Sequence, residues 1–111
     1  MSSGAIASTY QKLRVEEICK RLDMVSVAYL WNRDQKELLK EMIDNKMEIM
    51  IIKTASYGLY PDNFLGKVID EEIYEKLVGL GETHGLNICG EGGEYESLTL
   101  NCPIFQQKIQ M

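Results

Sequence analysis

Apolar positions recur along this chain with two periods, and the switches between them mark out its elements. Gly4-Ala5-Ile6-Ala7 has the character of the tail of a short buried strand. Val15, Ile18, Cys19 and Leu22 then fall at i, i+3, i+4 and i+7, the spacing of one buried helix face. Ser8 or Thr9 can cap that helix, Ser8 and Gln11 have the spacing of a capping box, and Glu16 to Lys20 and Glu17 to Arg21 predict a solvated opposite side. Residues 25–30, rich in β-branched and aromatic side chains and too short for a helix, predict a second strand ending at Trp31. Asp34 with Glu37 three residues on predicts the cap of a second helix, with Leu38, Leu39, Met42 and Ile43 inward and an end near Asn45. The run Ile49-Met50-Ile51-Ile52, inside 48–53, suits a strand covered on both faces, as in a parallel sheet.

Residues 54–67 lack periodicity and carry Gly58, Pro61, Asp62, Asn63 and Gly66, which predicts a long loop of the kind that tends to be functional. Asp70 caps a third predicted helix from Glu71 to about Thr83, with Ile73, Leu77 and Leu80 inward and Gly85 as its C-terminal cap. Residues 86–89 and the shorter 97–100 read as the last strands. The order strand, helix, strand, helix, strand, helix, strand predicts an α/β fold with a largely parallel sheet and flanking helices, in a single domain or domain fragment over 1–111. In such a sheet the loops after the strands emerge along one edge, so 8–11, 31–33, 53–66 and 90–96 are expected to share one cleft. Almost nothing precedes the first strand, and the alternating Lys108-Ile109-Gln110-Met111 stops abruptly, so the expectation is a chain that begins and ends mid-fold.

Composition narrows the functional classes. A length of 111 residues with 45% hydrophobic and 26% charged residues supports a real core and argues against disorder. The net charge of -5, with no cluster of Lys or Arg, argues against nonspecific binding to nucleic acid or to an anionic membrane. Three widely spaced cysteines and one histidine argue against a disulfide framework and a structural zinc site. Without a basic-then-apolar leader or an apolar run of membrane length, the expected location is the cytosol.

Gly90-Glu91-Gly92-Gly93-Glu94-Tyr95-Glu96 combines more backbone freedom and more charge than any other stretch. Flanked by two apolar segments, it reads either as a ligand-binding loop or as a tight turn. Its spacing fits neither the dinucleotide fingerprint nor the phosphate-cradling loop, and its acids suit a cationic group, a metal-bound phosphate or an amine better than bare phosphate. A divalent ion is a further reading, although in an extended strand Glu94 and Glu96 share a side that Glu91 joins only if the glycines fold the loop back.

Longer motifs carry a family resemblance. Gly4-Ala5-Ile6, Ser8-x-Tyr10-Gln11-x-x-Arg14-Val15-Glu16, Leu30-Trp31, Gly58-Leu59, Leu65-Gly66 and, above all, Cys89-Gly90-Glu91-Gly92-Gly93-Glu94-Tyr95-Glu96 with Cys102-Pro103 resemble the diphthine–ammonia ligase family, over essentially the whole chain from Gly4 onward. That family belongs to the PP-loop ATP pyrophosphatases, and its members amidate the diphthine side chain of elongation factor 2 with ammonia, converting ATP to AMP and pyrophosphate. The resemblance implies the second half of a larger PP-loop ATPase-type fold. The Ser-Gly-Gly-Lys-Asp-Ser loop that opens the family's ATP-binding half does not occur here, and Thr9 stands where the family is expected to have an acid. ATP and Mg²⁺ are therefore implied for the full-length family enzyme, and none is expected bound to this chain alone. Elongation factor 2 and ammonium are the implied partners, with no membrane and no direct nucleic-acid contact, and exposed sheet edges invite homo-oligomers.

Diphthine carries a quaternary ammonium and a carboxylate, so its site needs acids or aromatic faces. Glu91, Gly92, Gly93, Glu94, Tyr95, Glu96 and Trp31 are the candidate substrate-binding residues, each also readable as loop structure or, for Trp31, as core. Ser8, Tyr10, Gln11 and Arg14 are candidates for lying near the nucleotide, against the plainer reading of helix cap and surface charge. No catalytic residue and no metal ligand is assigned. His84 reads as a helix-end residue, Cys89 as a buried small hydrophobe with no histidine to activate it, and Lys53 as a surface side chain. The function expected is the substrate-side part of the ligase; the alternative is a non-catalytic binding or oligomerisation module.

Overall fold

Ser8 opens the first helix: its Oγ accepts from the Gln11 N–H at 3.4 Å, satisfying one of the donors that a helix start leaves without a partner. Helix α1 runs Thr9–Arg21 in the computed structural model, which describes residues 1–111. Lys20 and Arg21 in its last turn complement the helix dipole, and Asp23, at φ 52°, turns the chain away. Of the expected inward stripe only Cys19 is buried; Val15 is half-buried, and Ile18 and Leu22 are exposed.

The chain divides into two units, Met1–Asp34 and Gln35–Met111. Within the first, the strands expected at 4–7 and 25–30 do not form. A single parallel bridge pairs Ser2 with Val27, with Ser3 N–H donating to Val27 O and Val27 N–H to Met1 O, both at 2.9 Å. Two segments without a third neighbour gain too little ladder to stay extended, and the chain passes into turns over Ala28 to Arg33, with Asn32 at φ 60°.

The second unit starts with α2, Gln35–Asp44, which buries Leu38 and Leu39 and packs Met42 and Ile43 against the core, as expected. Strand β1, Glu48–Thr54, pairs with β2, Tyr95–Asn101, in register Ile49↔Thr99, Ile51↔Ser97 and Thr54↔Tyr95. This pairing is antiparallel, which corrects the largely parallel sheet predicted from element order. It also explains why the apolar run is not covered twice: Ile49 and Ile51 enter the core whereas Ile52 is 45% exposed, the one-sided burial of an antiparallel ribbon.

The other edge of β1 is held by residues 66–69. Gly66 N–H donates to Ile51 O at 2.8 Å, Ile51 N–H to Lys67 O at 2.9 Å and Ile69 N–H to Ile49 O at 2.7 Å. Both edges of β1 are thus occupied, and residues 86–89 pair with neither β1 nor the open outer edge of β2. Leu86 and Ile88 still reach the core, but through turns rather than the predicted strand.

The long aperiodic stretch contains one unforeseen helical turn, α3, Pro61–Phe64, opened by proline and delivering Phe64 to the core. Helix α4, Glu71–His84, has the predicted caps: Asp70 Oδ1 accepts from the Ile73 N–H at 3.0 Å, and Gly85 at φ 68° donates to Gly81 O. Ion pairs Lys36–Glu82 at 2.7 Å and Lys40–Glu71 at 2.6 Å join α2 to α4. No helix is long and apolar enough to cross a membrane.

Candidate functional site

Antiparallel pairing sets the end of β1 beside the start of β2, and that contact builds the candidate site. Thr54 lies opposite Tyr95, Lys53 Nζ pairs with Glu96 Oε1 at 2.7 Å, and Ala55 N–H donates to Glu94 O at 2.8 Å. The loops 53–66 and 90–96 therefore meet at one end of the ribbon. Loops 8–11 and 31–33 belong to the first unit, and the parallel edge that was to gather all four is absent.

The acidic glycine loop is two successive turns, closed by Gly90 N–H to Asn87 O at 2.8 Å and Gly93 N–H to Gly90 O at 3.1 Å. Gly90 adopts φ +73°, and a Cβ there would lie 3.0 Å from the Tyr95 ring, so both conformation and space require glycine. Gly92 and Gly93 form the exposed tip. Glu94 turns back into the loop: its Oε1 accepts from Asn87 Nδ2 at 2.6 Å and from the Asn87 N–H at 3.3 Å, while Oε2 is buried without a hydrogen-bond partner.

Tyr95 is buried, and its hydroxyl donates to Ile88 O at 2.6 Å. Burial first, then the neighbouring Cys89 and Glu94, pushes its phenol well above the ordinary value of 10.0. Gln35 closes the back of the loop, accepting from the Cys89 N–H at 3.1 Å and from its thiol at 3.5 Å. Of the acids, Glu91 is half-buried and Glu96 exposed beside Lys53. Three histidine, cysteine, aspartate or glutamate side chains do not come together anywhere in a way that would hold a metal ion.

In the first unit, Tyr10, Gln11 and Arg14 border a hollow of about 400 Å³ with Ser3, Val15 and Ile18. Arg14 Nη1 donates to the Tyr10 hydroxyl at 2.8 Å, and its guanidinium lies 5.3 Å from the Tyr10 ring centre. Ser8 is engaged in capping α1. Trp31 is half-buried with the Lys12 ammonium 5.1 Å from its ring centre, so a cation already occupies one side of that ring.

Sequence reasoning gave no role to Tyr57 and Tyr60, whose rings stand 73% and 55% exposed on the loop after β1 with centres 6.4 Å apart. His84, read only as a helix end, lies edge-on to Tyr57 at 5.2 Å. Beside them opens a hollow of about 490 Å³, lined by Gly58, Phe64 and Leu80 with Asn63 and Lys76. Two tyrosines flanking a glycine in the longest aperiodic stretch were the available signal.

Known proteins complete the picture. The diphthine–ammonia ligase of Homo sapiens is 53% identical over 110 residues, covering 98% of this chain and 40% of that protein. The diphthine–ammonia ligases of Danio rerio and Schizosaccharomyces pombe are 53% and 46% identical, with 42% and 18% of their lengths covered. The chain thus spans well under half the length of these relatives. Residues 34–111, most of the chain and the whole of the second unit, match the family model described as diphthamide synthase C-terminal domain, and the chain belongs to that family.

Proposed function

We propose that residues 1–111 form the substrate-side part of an ATP-dependent ligase of diphthamide biosynthesis, which amidates diphthine on elongation factor 2. The observation that carries this reading is the 53% identity to the diphthine–ammonia ligase of Homo sapiens over an alignment that covers 98% of the chain. In that reaction ATP activates the diphthine carboxylate as an adenylate with release of pyrophosphate, and ammonia displaces AMP to leave the amide and a proton. ATP and Mg²⁺ belong, on this reading, to a PP-loop lobe outside these residues, of which this chain continues the fold. The chain's own groups make no three-residue metal cluster, so no step is assigned to a metal here.

The contribution of this chain is recognition. Glu91 and Glu96 present carboxylates at the rim of the loop, and Gly92, Gly93, Glu94 and Tyr95 hold the shape that presents them. Tyr10, Gln11 and Arg14 line a hollow suited to a group held by the ATP lobe, and Trp31 offers the ring face that Lys12 does not cover. On this reading the protein works in the cytoplasm, alongside its substrate.

A second reading, a binding or oligomerisation module without ATP chemistry, is favoured by the outer edge of β2, with which no strand pairs. The test is ATP-to-AMP turnover with ammonium and diphthine-modified elongation factor 2, first with this chain alone and then with a relative's ATP lobe added. Turnover only in the mixture is the expected result. Absence of AMP in the mixture, with both proteins folded, favours the module.

A further inference from the structure

We propose that Tyr57 and Tyr60 form a recognition site for a quaternary ammonium group, with the hollow beside Gly58 taking the rest of the ligand. The ligand identity rests on the ligase reading above, since diphthine carries such a group; the site rests on geometry.

Large aromatic rings are normally turned inward, and a pair left 73% and 55% exposed on one turn has faces free for a ligand. The turn is held rather than loose. Ala55 is bonded to Glu94 at one end, Asn63 and Phe64 N–H groups both donate to Tyr60 O at the other, and Leu59 is buried between the two rings in sequence. Gly58 sits so close to α4 that a Cβ would meet Leu80 Cδ2 at 2.6 Å, which presses the turn against the helix. His84 braces the Tyr57 ring edge-on, and the two tyrosine rings, 67° apart in plane, define a corner rather than a stack.

A cation gains from an aromatic face within about 6 Å of the ring centre, and ring centres 6.4 Å apart leave positions within that reach of both. A methylated ammonium suits an exposed corner of this kind better than a lysine. It is weakly hydrated, so little solvation is lost, and its methyl groups make apolar contact with the rings as well. The hollow alongside has an apolar floor from Phe64 and Leu80 and Lys76 in its lining, with the Lys76 ammonium paired to Glu72 at 2.6 Å. That pair is exposed and weak, so Lys76 can exchange Glu72 for the carboxylate of a ligand whose other end is a quaternary ammonium.

The test needs only this chain. Choline and its neutral isostere 3,3-dimethylbutan-1-ol are titrated separately while the ring signals of Tyr57 and Tyr60 are followed by NMR. Choline is expected to shift both rings saturably and to bind about two- to fivefold more tightly than the isostere, the span of an exposed cation–π contact. The double variant Tyr57→Leu with Tyr60→Leu is expected to lose that preference, and Tyr57→Phe with Tyr60→Phe to keep it. Equal binding of the two probes, absence of saturation, or a preference that survives the leucine variant overturns the site. Because no ATP lobe is present, choline binding without complemented turnover would sink the ligase reading and leave the site standing. Complemented turnover with a KM for modified elongation factor 2 untouched by the leucine variant would do the reverse.

Discussion

Tyr95 shows how one residue can belong to a candidate site and yet act as its frame. Its hydroxyl satisfies Ile88 O and its ring fills the space that Gly90 leaves, so the acidic loop is built around it. Tyr95→Phe is expected to lower unfolding free energy by about 1–2 kcal/mol, because a carbonyl loses its partner, read as a shift in urea midpoint at unchanged slope. The raised pKa adds a sign. The folded protein keeps the neutral phenol, so this contribution is complete below the ordinary value of 10.0 and is lost as pH rises beyond it. Alkaline destabilisation should accordingly flatten in the phenylalanine variant. Gly90→Ala is expected to cost about 2 kcal/mol through its positive φ and the ring contact, whereas Gly4→Ala, with nothing within 4 Å of the added Cβ, should be near neutral. Equal costs at the two positions would argue against a loop shaped around Tyr95.

Capping and charge decide the behaviour of the elements. Asp70 is the N-cap of α4, the helix that contributes Ile73 and Leu77 to the core, and Asp70→Ala should cost about 1 kcal/mol in urea unfolding. The pairs that link α2 to α4 are exposed, so they are worth little each and are screened by salt. Lys36 holds Glu82 below its ordinary value of 4.5, chiefly by hydrogen bond and then by charge. A lowered carboxylate stabilises the fold above 4.5 and ceases to as pH falls through its folded value, so amide protection in α2 should decline with acid and with salt. Protection in α2 indifferent to both would mean that Leu38 and Leu39 alone hold the helix.

On the scale of the whole molecule, the division at Asp34 and Gln35 coincides with the start of the family match at residue 34. The second unit owns the large core cluster, while the first buries only Ala5, Ile6 and Cys19. Local stability follows buried apolar contact, so hydrogen exchange should be markedly faster across Met1–Asp34 than in β1 and α4. Uniform protection along the chain would contradict two separate units. The first unit also exposes Leu13, Leu22, Val25 and Tyr29, apolar surface that its own small core cannot cover.

The sequence by itself determined what depends on neighbours along the chain. Ser8, Asp70 and Gly85 announced helix ends because caps are local chemistry, and Leu38, Leu39, Ile73 and Leu77 announced buried faces because helical period is local geometry. The family, too, was legible in the order and spacing of the motifs around 89–103. Tertiary structure decided whatever depends on partners distant in sequence. Strand propensity at 25–30 and 86–89 came to nothing, because a strand exists only where the fold brings an edge beside it: in the second unit β2 and residues 66–69 took both edges of β1, and 86–89 turns instead of lying along the outer edge of β2. Parallel or antiparallel pairing is invisible in an apolar run, and it was the antiparallel choice that brought the loop after β1 to the acidic glycine loop. The inward turn of Glu94 and the meeting of Tyr57 with His84 across 27 positions follow from that packing, which no local period encodes.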